Sequence, residues 1–339
     1  EGAEPELVYD QDFFQRFEPL TAGDALKRVP SVTFLSDVIE SDGARLRGLD
    51  PGYTQILING EKVPGTNADR SFFLDRIPAE LVKQVEIVRS SSARRTGDAV
   101  AGTLNIVLRD GYQLDGGYVR GGALYFDDGK VKPSIGAVFG TEVGPGRLLI
   151  GANLQGRYNP KKKFSLRYGD SPENDPNYAT NEFDNRQDQS DVRNGTDYAL
   201  NASYSIDTET TDFELSGFWV HTDRLETERS FDYSTETGSR GSVRNGAGGN
   251  LQADNSNINN ILQYNYSLAA KLSHEWAAGE TKLKAGFAKF IDNQWETENE
   301  IEFDRSAPRF TGDRFDTRIV DQELSFGLEH KVPAGEGFD

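Results

Sequence analysis

Two kinds of hydrophobic pattern divide the chain near Gly111. Before it the apolar segments are short and of mixed period. Phe13 and Phe14 precede residues 21–29, which predict a short helix with Asp24, Lys27 and Arg28 on its wet side. Pro30 ends it, because proline lacks the amide and its ring clashes with the preceding turn. Residues 55–58 read as a strand, Asn59-Gly60 as a hairpin turn, and residues 61–63 as its return. Residues 77–82 predict a short helix with Pro78 in its first turn, and residues 85–88 and 103–108 predict strands. The result is a small α+β domain over residues 1–110, an ordinary domain size.

After Gly111 the pattern alternates with period two, the mark of a strand with one apolar and one polar face. Tyr198, Leu200, Ala202, Tyr204 and Ile206 alternate with Asn201, Ser203 and Ser205. Leu262, Tyr264, Tyr266, Leu268, Ala270 and Leu272 alternate with Gln263, Asn265, Ser267, Lys271 and Ser273. The same rule covers Leu148 to Leu154 and Leu324 to Leu328. Several runs reach the roughly 9–11 residues a strand needs to cross a bilayer. Short turns at residues 143–146, 208–211 and 278–280 alternate with long polar loops predicted at residues 169–195, 235–260 and 305–318, except that the first connection on the long side, residues 127–130, is short. Short connections at one end and long ones at the other are the habit of outer-membrane barrels. Tyr158, Trp219 and Trp276, near strand ends, fit interfacial girdles. A soluble antiparallel sandwich also alternates, and periodicity alone leaves it open.

Composition narrows the classes. With 37 basic against 55 acidic side chains the net charge is −18, which repels the phosphates of nucleic acid. Hydrophobic residues make up 36%, mean hydropathy is −0.63, and no apolar run approaches the roughly 18 residues of a membrane helix. Twenty Phe and 13 Tyr argue against disorder. No cysteine is present, which excludes disulfides and thiolate metal sites. Met is absent too, so Glu1 reads as a processed start or the first residue of a fragment. His221, His274 and His330 fall in separate strands, and Asp184, Asp188 and Asp191 lack the spacing of a calcium loop. No catalytic arrangement is visible, and neither a metal nor a cofactor is expected.

Residues 20–110 carry five blocks whose order resembles the plug domain of TonB-dependent outer-membrane receptors. They are Ala25-Leu26-Lys27-Arg28-Val29-Pro30-Ser31-Val32, Arg45-Leu46-Arg47-Gly48-Leu49, Ile56-Leu57-Ile58-Asn59-Gly60, residues 77–89, and residues 97–107 with their glycine-rich turn. Ser31 stands where the family usually has Gly, and residues 90–92 are serines where Gly-Pro is usual. The family's short energy-coupling motif is not recognisable before Leu7. The resemblance implies an α+β plug followed, over residues 111–339, by antiparallel transmembrane β-barrel strands. About eight strands are countable of the roughly 22 that enclose a plug. A domain of about 100 residues has a radius of gyration near 13 Å, too large for an eight-stranded barrel. The expectation is therefore the N-terminal part of a larger barrel, or one completed by other strands.

What the resemblance implies for function is a receptor in the cell outer membrane that binds a scarce solute outside and passes it to the periplasm. The implied partners are a TonB-type energy-coupling protein, outer-membrane lipid, and a siderophore, cobalamin-like, glycan or peptide solute. A surface lipoprotein or another outer-membrane subunit joins that set of candidates, and nucleic acid does not. The alternatives are a structural or adhesive plug-barrel protein and a soluble secreted β-rich binding protein. Ligand candidates on the plug's upper loops are Asp50, Tyr53, Thr66, Asn67, Asp69 and Arg70; Tyr53 offers a stacking face and Arg70 a bidentate donor. Arg47, Arg89 and Arg109 need carboxylates, supplied either by the wall at Glu214, Glu323 and Glu329 or within the plug by Glu80 and Glu86.

Overall fold

The computed structural model describes residues 7–17, 19, 21–34, 44–49, 51–62, 74, 77, 79–88, 100–109, 114–168, 183–236, 251–303 and 307–332. The N-terminal part holds a five-stranded sheet of β1 (Leu7–Asp10), β4 (Thr54–Ile58), β5 (Glu61–Lys62), β6 (Val82–Val88) and β7 (Gly102–Leu108). Its order is β1-β6-β7-β4-β5, with β4 and β7 parallel and the other pairs antiparallel. A small ladder of β2 (Val32–Phe34) and β3 (Ala44–Leu46) and two short helices, α1 (Gln11–Gln15) and α2 (Ala22–Leu26), lie beside it. Leu26, Leu46, Leu74, Ile77, Ile87, Leu104 and Ile106 close the core.

Local chemistry explains these elements. Thr21 caps α2, its hydroxyl accepting from the Asp24 amide at 3.2 Å. The helix then tightens, with Val29 N donating to Leu26 O at 3.0 Å just before Pro30. Asn59 and Gly60 both have positive φ, 51° and 78°, as a two-residue hairpin with the strands' twist requires. One expectation is corrected. Residues 77–82 do not form a helix; a single 3-10 turn spans Ala79–Leu81, and Val82 already belongs to β6. The β-branched run Val82, Val85, Ile87, Val88 pairs with β7 on its first residue, so the sheet wins over the helix start.

The rest is an eight-stranded antiparallel meander: β8 (Gly116–Tyr125), β9 (Val131–Val143), β10 (Gly146–Tyr168), β11 (Phe183–Asp207), β12 (Thr211–Tyr233), β13 (Leu251–Trp276), β14 (Gly279–Glu302) and β15 (Arg309–Lys331). The order follows the chain, and β8 and β15 are its two edges. The long loops expected at residues 169–195, 235–260 and 305–318 are shorter than read: β11 begins at Phe183, β13 at Leu251 and β15 at Arg309. Those segments lack apolar alternation yet keep full ladders, such as Asp188 opposite Phe164 and Asn257 opposite Glu228. Backbone pairing makes a strand even where neither face requires apolar residues.

Burial on this sheet is inverted. One cross-strand row, Ser134, Gln155, Asp197, Thr222, Gln263 and Asp292, is polar and buried throughout. The opposite face carries the row Phe139, Ile150, Ala202, Gly217, Leu268, Phe287 and Leu324. There Leu268 is 52% and Leu324 69% exposed. Within the polar row Ser134 Oγ donates to Gln155 Oε1 at 2.7 Å, and Arg157 Nε and Thr222 Oγ1 donate to Asp197 at 2.9 and 2.8 Å. Tyr158, expected in a girdle, is instead covered by the β8–β9 turn, with Phe126 edge-on at 5.0 Å and its hydroxyl donating to Asp128.

Candidate functional site: the seam between plug and wall

The α/β domain seats against the polar face of the sheet. Leu81 and Leu108 of the domain pack with Leu114, Val138 and Leu149, and Phe218 of β12 reaches the domain core. Gly151 permits the approach: a Cβ there would stand 2.8 Å from Leu81 Cδ2. Where β4 and β7 end, the seam opens into a cavity of about 70 Å³. Asn59 and Arg109 line it from the domain, and Glu214, Asn265 and Lys271 from the wall.

One link across this seam is a charge-assisted hydrogen bond. Lys271 Nζ on β13 donates to the Asn59 carbonyl at 2.7 Å. Asn59 is a hub. Its amide donates to Ile106 O at 2.9 Å, and its side-chain oxygen accepts from Leu108 N at 2.7 Å. The neighbouring Gly60 N donates to Asn105 Oδ1 at 2.8 Å. The lysine therefore grips a turn already fixed to the central strand β7. Lys271 lies directly opposite Glu214 on β12 and Lys284 on β14. Arg109 N donates to Leu81 O at 2.8 Å, while its Nε is buried with no hydrogen-bond partner among the described residues. Asn265, only 3% exposed, has both side-chain amide atoms buried and unpartnered on the same terms.

Of the residues singled out in the sequence, Arg109 and Glu214 line this one cavity. Glu323 and Glu329 stand on β15, two strands further round the wall from β13, and both are exposed. Arg47 is exposed in the turn after β3, at φ 57°. Tyr53 is exposed at the end of a 3-10 turn, its carbonyl accepting from Ala101 N at 2.9 Å. Asp50, Thr66, Asn67, Asp69, Arg70 and Arg89 lie outside the described residues. Glu86 takes hydrogen bonds from Gln84 and Asn105 at 2.7 and 2.8 Å. Sequence reading passed over Lys271 and Asn265. Alternation put both on the polar face, but nothing local announces a contact across 212 positions.

Away from the seam, Asp128 in the β8–β9 turn is held below the usual carboxylate range, chiefly by the Tyr158 hydroxyl and then by the Lys130 amide.

A half-buried α/β sheet seated on the polar face of an inside-out β-meander is the plug-and-barrel class of architecture. Residues 3–103 match the family model described as the TonB-dependent receptor plug domain. No curated protein matches the chain. Among solved structures, the ferric citrate transporter FecA in its unliganded form is 14% identical, with a TM-score of 0.48 over 97% of this chain and 54% of that one. The Serratia marcescens hemophore receptor HasR, solved with its hemophore and heme, is 14% identical at a TM-score of 0.36, over 98% and 62%. The Pseudomonas aeruginosa ferric enterobactin receptor PfeA, solved with enterobactin, is 10% identical at 0.38, over 96% and 60%. The chain thus spans between a half and two thirds of these proteins' lengths. Residues 3–103 are similar to a TonB-dependent receptor plug domain, and an eight-stranded antiparallel sheet follows them.

Proposed function

We propose that this chain forms the plug (residues 1–110) and first wall strands (residues 111–339) of an outer-membrane transporter that binds a scarce solute outside and admits it by plug rearrangement. The observation that carries the reading is the inverted sheet, polar where buried and apolar where exposed. Its dimensions fit a bilayer. On β13 the outward positions from Tyr264 to Trp276 are twelve steps apart, about 40 Å along the strand and about 28 Å at a tilt near 45°. Outer-membrane barrels carry an apolar band about 25 Å tall with aromatics at both rims. Tyr198, His221 and Tyr264 stack across three strands at 5.8 and 4.4 Å on one rim, and Trp276 stands on the other. No water exists at that depth to satisfy an open edge, so β8 and β15 need partner strands in the working protein.

The short connections between β9 and β10, β11 and β12, and β13 and β14 mark the periplasmic end on this reading. The seam lies there, a few residues above the β11–β12 turn, where an energy-coupling partner acts. The upper-loop residues Asp50, Tyr53, Thr66, Asn67, Asp69 and Arg70 are proposed to meet the solute, a siderophore, cobalamin-like, glycan or peptide molecule. Arg109 with Glu214 is the proposed charge pair of the seam; Arg47, Arg89, Glu323 and Glu329 complete that proposed set. The test is uptake: in cells carrying the full-length protein, radiolabelled solute should accumulate only with the coupling protein present. Accumulation indifferent to that partner refutes the transport mechanism.

A further inference from the structure

The geometry points to a solute lane on one side of the plug, against β11, β12 and β13, with Lys271 as its periplasmic gate. This inference rests on the transport reading and specifies where in the seam passage occurs.

Three observations carry it. First, the wall there is built from small polar residues. Ser203 faces Ser216 across the β11–β12 ladder, and Asn201 and Ser267 flank Phe218 one row further up. These rows leave the 70 Å³ cavity that larger side chains would fill. Second, Asn265, one row further from the turns, is buried with neither amide atom partnered among the described residues. A buried amide without partners is costly, so it is a group waiting for a hydrogen-bonding visitor. Third, the periplasmic end of the cavity is crossed by the Lys271–Asn59 contact. The lysine holds a backbone carbonyl rather than a side chain, so a plug substitution reaches the closure only by moving the Asn59–Gly60 turn, whereas replacing Lys271 removes the donor directly. Above the gate the lane offers hydroxyls and amides, which suits uncharged hydrogen-bonding groups of a solute.

The chain has no cysteine, so single cysteines report cleanly. Ser267→Cys places a thiol in the lane, and Leu268→Cys places one on the opposite face one residue away. Outer-membrane vesicles carrying the full-length protein are treated with a charged, water-soluble thiol reagent. Ser267→Cys should react slowly, and adding Lys271→Met should speed it about tenfold, the factor for about 1.4 kcal/mol of charge-assisted hydrogen bond. Lys271→Arg, which keeps a donor cation, should restore the slow rate. Leu268→Cys should stay protected by lipid in every background, which also shows that each variant has folded. If Ser267→Cys reacts equally slowly with Lys271→Met while Leu268→Cys stays protected, the lane is wrong and the receptor reading stands. If Leu268→Cys reacts freely in the Lys271 background, the wall is not in lipid, and both fall.

Discussion

Replacing Leu268 by arginine asks whether the exposed face of the sheet meets lipid or water. Leu268 is outward on β13, between Gly217 of β12 and Phe287 of β14. It stands four steps from Tyr264, about 13 Å along the strand and so about 9 Å below the rim at a tilt near 45°. An arginine at the midplane of a barrel's lipid face costs about 2–4 kcal/mol, falling to about 0–1 near the interfaces. At this depth about 2–3 kcal/mol is expected. On a soluble sheet, the same exchange at a half-exposed position changes stability by about 0.5 kcal/mol or less.

Ile258 supplies the matched control. It is outward on the same strand but six steps beyond Tyr264, about 14 Å above the rim by the same geometry, where Ile258→Arg should be nearly neutral. The assay is reversible guanidinium unfolding of the full-length protein in phospholipid vesicles. Trp219, Trp276 and Trp295 all lie on wall strands, so fluorescence reads the wall directly. Equal effects of Leu268→Arg and Ile258→Arg, within about 0.5 kcal/mol, would refute the lipid-facing assignment.

Three further outcomes are expected. Arg157→Leu strands the buried Asp197 carboxylate and should cost about 3–5 kcal/mol, whereas Arg157→Leu with Asp197→Leu should recover most of that loss in the same unfolding assay; no recovery means the pair is not buried as described. Ser31, at φ 76° in the left-handed region, is strained by about 1–2 kcal/mol relative to glycine, partly offset by the greater chain entropy of glycine. Ser31→Gly should therefore slow hydrogen exchange at Val32 and Leu46, and faster exchange would contradict it. Asp128 has a folded pKa below its unfolded one, so its contribution is present above the ordinary carboxylate pKa and lost as pH falls through the lowered value. Tyr158→Phe removes the largest cause and should raise that pKa in an NMR titration of the Asp128 carboxyl; an unchanged midpoint overturns the assignment.

What the sequence disclosed and what it hid follow from the solvent each segment meets. Along residues 198–206 and 262–272 one face is apolar and exposed and the other polar and covered, which the proposed reading assigns to lipid and a wet interior, so alternation is written into the residues. Past the apolar band both faces meet polar surroundings and the pattern lapses, although the ladder continues. β13 has 26 residues, about 86 Å along the strand, roughly twice the span from Tyr264 to Trp276. That is why the segments starting at Phe183, Leu251 and Arg309 read as loops. Asn59-Gly60 was legible because two positive φ angles demand those residue types. Residues 77–82 misled because Pro78 is a good helix start, and only pairing of Val82 with Leu108 shows that a strand takes over.

The seam was the least legible part, and its construction explains why. On the proposed transport reading, a plug that stays folded while rearranging needs strong bonds within itself and weak, replaceable ones across the gap. Asn59 shows both on one residue: two hydrogen bonds tie it to β7, and one, from Lys271, ties it to the wall. Among the described residues the wall also meets the α/β domain through a small apolar cluster around Leu81, Val138 and Leu149 and through Phe218. Such a boundary leaves no motif, because serine, asparagine and alanine there are chosen for what they leave empty. Near the β11–β12 turn, Arg109, Glu214 and Lys271 line one cavity. A seam sealed by large apolar side chains would have been easier to read, and on the proposed transport reading it would hold the plug too firmly to let a solute through.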